Sequence, residues 1–288
     1  ERGNLKALYI LGENPVRSLP QPERVREALS RVEFLVAQDI LTNETTQIAD
    51  VVLPGAAFNE KAGSFTNMEG RIQIFEPGVP PPGDAKPDWQ VLDLLAAKLG
   101  HPRTYGSVEK IRREISEDIP LYATLGESRD VAWIKETSQK RLFRPEGKGG
   151  PIQFSPVVSI EDEKPDDGYP FTAIFGSVRF HLGSGTRTNR SDRISEFALK
   201  GEVELSPEDA NTLNLQDGDT IKIISPCGSI VREVIVKKGL KVGLVFVPTA
   251  FNNNDVQRLI GLSLLGEPGS PGWKECPVRL ERHQSGGS

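Results

Sequence analysis

The segment best suited to chemistry runs Gly176-Ser177-Val178-Arg179-Phe180-His181-Leu182-Gly183-Ser184-Gly185-Thr186-Arg187-Thr188-Asn189-Arg190 and follows directly on an apolar run at 171–175. It gathers small residues, hydroxyls and three arginines into one stretch of a chain whose formal net charge is −5. Small residues let backbone N–H groups approach an anion, and hydroxyl and guanidinium groups add further donors. Phosphate or pyrophosphate binding is the chemistry such a loop suits. The plainer alternative is an exposed, flexible arginine loop. Arg179, Arg187 and Arg190 would repel one another if they converged without an anion between them. The loop is not a P-loop, because the order GxxxxGK[ST] is absent. No GxGxxG follows a strand, so a simple nicotinamide-binding fold is not supported either. As a histidine, His181 could serve as an acid or base. A lone histidine in a loop is more often a packing or hydrogen-bonding residue. No Ser–His–Asp or Cys–His arrangement has local support.

The first half of the chain must supply the rest of any site, and its pattern alternates strand and helix. An apolar run at 8–11 stops at Gly12-Glu13-Asn14-Pro15, and residues 23–32 have helical spacing. A second run at 32–36 ends at Gln38-Asp39. A short helix at 45–49 then leads to a strand at 51–53, stopped by Pro54. Repeated units of this size predict a parallel sheet, whose ligands gather at the carboxyl ends of the strands. Lys61-Ala62-Gly63-Ser64-Phe65-Thr66-Asn67 with Glu69-Gly70-Arg71 reads as a polar, glycine-bearing surface loop. A helix at 88–99 is expected, with Asp88 as cap, Leu92, Leu95 and Leu99 on one face and Gly100 as stop.

Residues 101–168 are polar and irregular, with linker-like stretches at 146–150 and 161–167. Beyond Tyr169, short strands at 171–175, 221–224, 230–236 and 244–247 are separated by turn signals. A helix opens at Ser206-Pro207, with Ser206 as cap. This pattern predicts a compact β-barrel with one helix between strands.

Bulk properties narrow the function. At 37% hydrophobic and 26% charged residues the chain is an ordinary globular protein of two domains by length. Its acidic balance argues against nucleic-acid binding, and no apolar stretch is long enough for direct membrane insertion. Cys227 and Cys276 lie outside any CxxC spacing and are expected to be reduced in a cytoplasmic protein. With three histidines, a His-rich metal site is not expected. The opening Glu1-Arg2-Gly3-Asn4 leads almost at once into a strand, which suggests a chain starting inside a longer gene product.

The order of the motifs carries more than any one of them. Residues 8–15, Val36-Ala37-Gln38-Asp39, Ala49-Asp50-Val51-Val52-Leu53-Pro54, 60–67, Glu69-Gly70-Arg71 and Pro87-Asp88-Trp89 together resemble the bis-molybdopterin guanine dinucleotide oxidoreductases. The likeness resumes at His181-Leu182-Gly183-Ser184-Gly185-Thr186, Pro207-Glu208-Asp209-Ala210, Asp217-Gly218-Asp219 and Lys274-Glu275-Cys276-Pro277-Val278-Arg279. It covers nearly everything except about 101–165. Formate dehydrogenases, nitrate reductases and the large iron–sulfur subunit of NADH:quinone oxidoreductase belong to that group.

The resemblance implies an α/β plus β architecture: an incomplete Rossmann-like parallel domain with linker over 1–165, a double-psi-type β-barrel over 166–283, and a flexible tail at 284–288. It implies that Gly12, Glu13, Asn14, Gln38, Asp39, Lys61 and Asp88 approach a guanine dinucleotide. It further implies that Gly176, Val178, Arg179, His181, Gly183, Ser184, Gly185, Thr186 and Arg187 lie against pterin and pyrophosphate, and that Lys274 reaches the cofactor from the barrel. Molybdenum or tungsten would be ligated outside this chain, and iron–sulfur clusters would sit elsewhere in the full protein. The chain alone would then bind no metal and turn over no substrate. One local departure is Gln257-Arg258-Leu259-Ile260, which stands where an Asn-x-Leu-Thr stretch is common. The implied partners are the N-terminal remainder of the same subunit and iron–sulfur or flavin electron-transfer subunits.

Three functions follow from these features: a formate-dehydrogenase-like catalytic subunit, an electron-conducting subunit keeping the fold without pterin, or a non-enzymatic anion-binding module. The basic loop favours the first. Replacing Arg187 and Arg190 by Ala in the full protein is expected to lower its pterin content in a pterin assay. Unchanged occupancy would remove the inference drawn from the loop.

Overall fold

The computed structural model describes residues 3–101, 105–127, 130–134, 168–197, 200–261 and 274–283. The linkers read at 146–150 and 161–167, and the tail at 284–288, lie outside the described residues. At the start of the chain, β1 (Ala7–Leu11) leads through α1 (Pro15–Ser18) and α2 (Pro22–Ser30) to β2 (Phe34–Asp39). Both helices carry proline at the start, where its missing N–H costs nothing. A short 3-10 turn, Thr46–Ile48, then leads to β3 (Val51–Pro54). Asn43 organises that turn: its Oδ1 accepts from the amides of Thr45 and Thr46, both at 3.0 Å. The three strands pair in parallel in the order β1-β2-β3. The segments after Leu11, Asp39 and Pro54 therefore leave the sheet at one edge, as the sequence pattern predicts.

The next region departs from expectation. Residues 61–71, read as a surface loop, contain most of a hairpin of β4 (Gly63–Thr66) and β5 (Arg71–Phe75). Asn67 closes its turn, its Oδ1 accepting from the amides of Glu69 at 3.0 Å and Arg71 at 2.9 Å. The expected helix is α3 (Asp88–Lys98), but Pro87 holds the capping position and Asp88 opens the first turn. Asp88 instead directs its carboxylate to Gln38 and Lys61. Leu92, Leu95 and Leu99, read as one face of the helix, are exposed, Leu99 by 75%, and α3 buries none of its residues. Within the stretch read as irregular stands α4 (Val108–Asp118), capped by Ser107, whose Oγ accepts from Lys110 N. Its buried Arg112 donates to the Gly63 carbonyl at 2.8 Å, and β6 (Val131–Trp133) completes a sheet in the order β4-β5-β6.

The second half contains β7 (Phe171–Gly176), the short α5 (Asp192–Ser195), β8 (Val203–Leu205), α6 (Pro207–Thr212), β9 (Thr220–Ser225), β10 (Gly228–Val236), β11 (Leu244–Pro248) and β12 (Glu275–Arg282). The six strands close a barrel of mixed direction in the order β10-β8-β11-β7-β12-β9. Its core is the alternating face of those strands, including Ala173, Val203, Leu205, Ile221, Ile223, Val234, Val245, Val247 and Val278. Ser206 caps α6 as expected, accepting from Asp209 N at 3.0 Å. Sequence reading misses β8, which is short, and β12, whose polar alternation leaves Val278 as its one fully buried residue. Both cysteines are free thiols, and burial first, with Cys227 and Glu275 nearby, pushes Cys276 up to about 12.

The sheet edge and the barrel meet through polar contacts. Arg17 of α1 is buried and donates from Nε to the Ser184 carbonyl at 2.9 Å and from Nη1 to Glu44 at 3.3 Å. Glu44 also accepts from Asn14 Nδ2 at 2.6 Å. Farther out, Gln21 N donates to the Gln257 carbonyl at 2.8 Å, and Arg258 pairs with Glu23. Burial raises the Glu44 carboxyl, but hydrogen bonds from Asn14 and its backbone, with the Arg17 charge, hold it below the ordinary 4.5. Arg17 is itself lowered by burial, with Glu44 opposing, but an arginine stays charged at any working pH, so Glu44 carries the titration.

Two outcomes are expected. Ile223→Ala, at a fully buried barrel position, should cost about 2–5 kcal/mol in denaturant unfolding. A carboxyl whose folded pKa is depressed contributes stability above its unfolded value and loses it as pH falls through the folded one. Wild type should therefore lose stability relative to Glu44→Gln as pH falls below 4.5, with the difference constant above it.

Candidate functional site

Where the carboxyl edge of the parallel sheet faces the loop after β7, a cleft of about 500 Å³ opens. From the sheet side it is lined by Gly12, Glu13, Asn14, Gln38, Asp39, Lys61 and Asp88, and from the barrel side by Gly183, Ser184, Thr186 and Arg187. A second cleft of about 460 Å³ shares Ser18, Gly183 and Ser184 with it and includes Gly176, Ser177, Thr249, Asn254, Gln257 and Lys274. The two clefts thus gather most of the residues singled out in the sequence, from positions 262 residues apart at the extremes, Gly12 and Lys274.

The sheet side is a hydrogen-bonding wall. Gln38 is 1% exposed in the middle strand; its Nε2 donates to Asp88 Oδ1 at 2.7 Å, and its Oε1 accepts from the Tyr9 hydroxyl. Lys61 Nζ lies 2.5 Å from Asp88 Oδ2. Each oxygen of Asp88 keeps a free lone pair after these bonds, so the carboxylate can still accept from a ligand. Asp39 is differently placed. Its Oδ1 accepts from Ile40 N at 2.6 Å, and its Oδ2 accepts from Asn43 Nδ2 at 2.7 Å, so it chiefly holds its own turn. Asn14 is likewise committed, to Glu44 and to the Thr45 hydroxyl at 2.7 Å. Beside this wall Phe58 and Phe65 line the cleft with rings 65% and 62% exposed, and Phe65 stacks on Phe75 at 5.1 Å.

The barrel side is a cradle of donors. Gly183 and Gly185 take φ of +56° and +77°, with Ser184 between them. Among the described residues, the backbone N–H groups of Gly183, Ser184, Thr186 and Arg187 have no hydrogen-bond partner. Alternation of backbone handedness that leaves successive N–H groups free is the geometry of an anion-binding concavity. Ser184 Oγ and Thr186 Oγ1 lie 2.9 Å apart, and Arg187 adds a guanidinium. Gly185 has a second reason to be glycine: a Cβ there would stand 2.6 Å from the Ala250 carbonyl oxygen.

Other expected residues fall outside both clefts. Arg179 lies over the ring of Phe180, 5.2 Å from its centroid, and Val178 lines neither cleft. His181 is buried edge-on against Phe251, with Nδ1 3.0 Å from Thr188 Oγ1 and Nε2 without a partner among the described residues. Arg190 donates to the Thr42 carbonyl, and of the three arginines Arg187 alone lines either cleft. Sequence reading misses Arg17, Glu44, Phe58 and Phe65. It also passes over Asn252-Asn253-Asn254, all at positive φ, although a run of asparagines is a signal for that backbone region.

The family model "Molybdopterin oxidoreductase" matches residues 1–98, and "Molydopterin dinucleotide binding domain" matches residues 171–277. The F420-dependent formate dehydrogenase subunit alpha of Methanocaldococcus jannaschii is 36% identical over 97% of this chain and 43% of its own length. The assimilatory nitrate reductase catalytic subunit of Bacillus subtilis is 33% identical over 96% of this chain and 42% of its own. Among solved structures, acetylene hydratase from Pelobacter acetylenicus shares the fold, with a TM-score of 0.64 at 17% identity over 85% of this chain and 37% of that one. The chain therefore spans less than half the length of these relatives. One family model falls on the α/β region and the other on the barrel, so both parts of the chain are similar to molybdopterin oxidoreductases.

Proposed function

We propose that this chain is the cofactor-holding part of a molybdenum- or tungsten-containing bis-molybdopterin guanine dinucleotide oxidoreductase, a formate dehydrogenase. The observation that carries the proposal is the run of unpartnered N–H groups at Gly183, Ser184, Thr186 and Arg187 facing the Gln38–Asp88–Lys61 wall across one cleft. Such a concavity suits a pyrophosphate. A carboxylate with free lone pairs beside exposed aromatic rings suits the N–H edge and flat face of guanine. The donor set fits a dinucleotide, and the dinucleotide-binding family model matched to the barrel supports the same cofactor. The second cleft, with Gly176, Asn254, Gln257 and Lys274, would take the adjoining pterin, and Gln257 Oε1, buried and without a partner among the described residues, would accept from it.

In this assignment residues 1–165 form an incomplete Rossmann-like domain with its linker, and 166–283 a double-psi-type barrel. The bound group supplies two-electron chemistry at a metal ligated outside this chain, taking electrons from formate or returning them to carbon dioxide. This chain's residues hold that group rigidly and exclude water from its phosphates. By itself the chain would be inactive, because the metal-ligating and catalytic residues would lie in the remainder of the subunit. Its partners would be the remainder of the subunit and iron–sulfur or flavin proteins that carry the electrons onward, in the cytoplasm. No helix among the described residues is long and apolar enough to cross a membrane.

Elemental analysis with a pterin assay on the native complex, purified without oxygen, tests the assignment. Molybdenum or tungsten together with pterin is expected, with formate as the first substrate to try. Iron alone would instead identify an electron-conducting subunit of the NADH:quinone oxidoreductase type, in which this fold is kept as architecture.

A further inference from the structure

Arg17 is 8% exposed and uses its guanidinium unusually. Nε donates to the Ser184 carbonyl at 2.9 Å, while Nη1 reaches Glu44 Oε1 at 3.3 Å and Asn253 Oδ1 at 3.4 Å. Its backbone carbonyl accepts from Asn254 Nδ2 at 2.9 Å. Nη2 is buried with no partner among the described residues. A buried charged group with unfilled donors is costly to retain, which makes a purely stabilising role a poor account of it. Ser184 is one of the residues that line both clefts. The peptide it opens is fully engaged, its carbonyl on Arg17 and the following Gly185 N–H on the Leu182 carbonyl at 3.0 Å. That peptide is flanked by the free N–H groups of Gly183, Ser184, Thr186 and Arg187.

We propose that Arg17 is the positioning residue of the phosphate cradle: its guanidinium, oriented by Glu44, fixes the Ser184 peptide so that the neighbouring N–H groups stay arranged for an anion. This rests on the dinucleotide assignment and adds a residue that does not touch the ligand. Glu44 balances the Arg17 charge, so the effect works through geometry. A planar fork can hold the Ser184 carbonyl and the Glu44 carboxylate together, whereas a lysine ammonium on a flexible stem can keep the charge pair without that orientation.

The test is binding of GDP and of guanosine to the full chain, followed by titration in NMR, for wild type, Arg17→Lys and the paired change Arg17→Met with Glu44→Gln. The double change removes both charges, so no half-buried carboxylate is left unpaired if single loss of Arg17 prevents folding. In both variants GDP is expected to weaken about tenfold, the size of one lost hydrogen-bonded contact, while guanosine affinity and the unfolding midpoint of Arg17→Lys stay unchanged. GDP and guanosine weakening together would show a general structural role and overturn the proposal. Unchanged GDP affinity in Arg17→Lys would overturn it as well. Failure of wild type to bind GDP would instead refute the dinucleotide assignment on which it rests.

Discussion

A glutamine amide in the middle of a sheet has two donors and an acceptor that water cannot reach, and Gln38 stands in that position on the central strand. Leaving such a group unsatisfied costs as much as a good contact gains. The Tyr9 hydroxyl from one neighbouring strand satisfies the oxygen, and Asp88 from beyond the other satisfies the nitrogen. Much follows from that demand. The start of α3 is drawn against the sheet edge although the helix buries none of its residues, and Lys61 is brought in to balance the carboxylate. A Cβ on Gly55 would stand 3.3 Å from Asp88 Oδ1 and crowd that carboxylate. The wall of the cleft is thus the far end of a hydrogen-bond chain begun inside the sheet.

The barrel answers with backbone rather than side chains. Ala250, Asn252, Asn253 and Asn254 lie at positive φ, and Asn254 ties this strained turn to Arg17 while accepting from Ala250 N at 3.0 Å. The Ala250 carbonyl packs against Gly185 and accepts from Asn189 Nδ2 at 2.5 Å. Strain of this sort persists where surrounding contacts over-determine it. Here it holds the loop that follows β7 in register with a sheet built from the opening residues of the chain.

Much of this was legible in the sequence, because parallel strands and barrel strands announce themselves through apolar period and turn residues. The runs at 8–11 and 221–224 mark β1 and β9, and the polar stops behind β1, β2 and β3 mark the edge where the cleft lies. What stayed hidden depended on partners distant in the chain. Arg17 sits in a four-residue helix, and nothing nearby signals that its guanidinium will meet residue 184. Asp88 looks like a helix cap because aspartate often is one; only the folded sheet shows that Gln38 claims it. Arg179 and Arg190 read as ligand groups by type, and type does not reveal that one lies over the ring of Phe180 and the other donates to the Thr42 carbonyl. The leucines of α3 have the period of a buried face, and period alone does not say whether anything lies opposite.

The barrel order has a consequence for how the protein is made. β12 lies between β7 and β9, so the ring cannot close until the last of its strands has been synthesised. Before that, β7 and β9 each present an open edge, the kind of surface that pairs with other nascent chains. A chain cut short before residue 275 would leave both edges unpaired, and a ribosome stalled there would display an aggregation-prone intermediate.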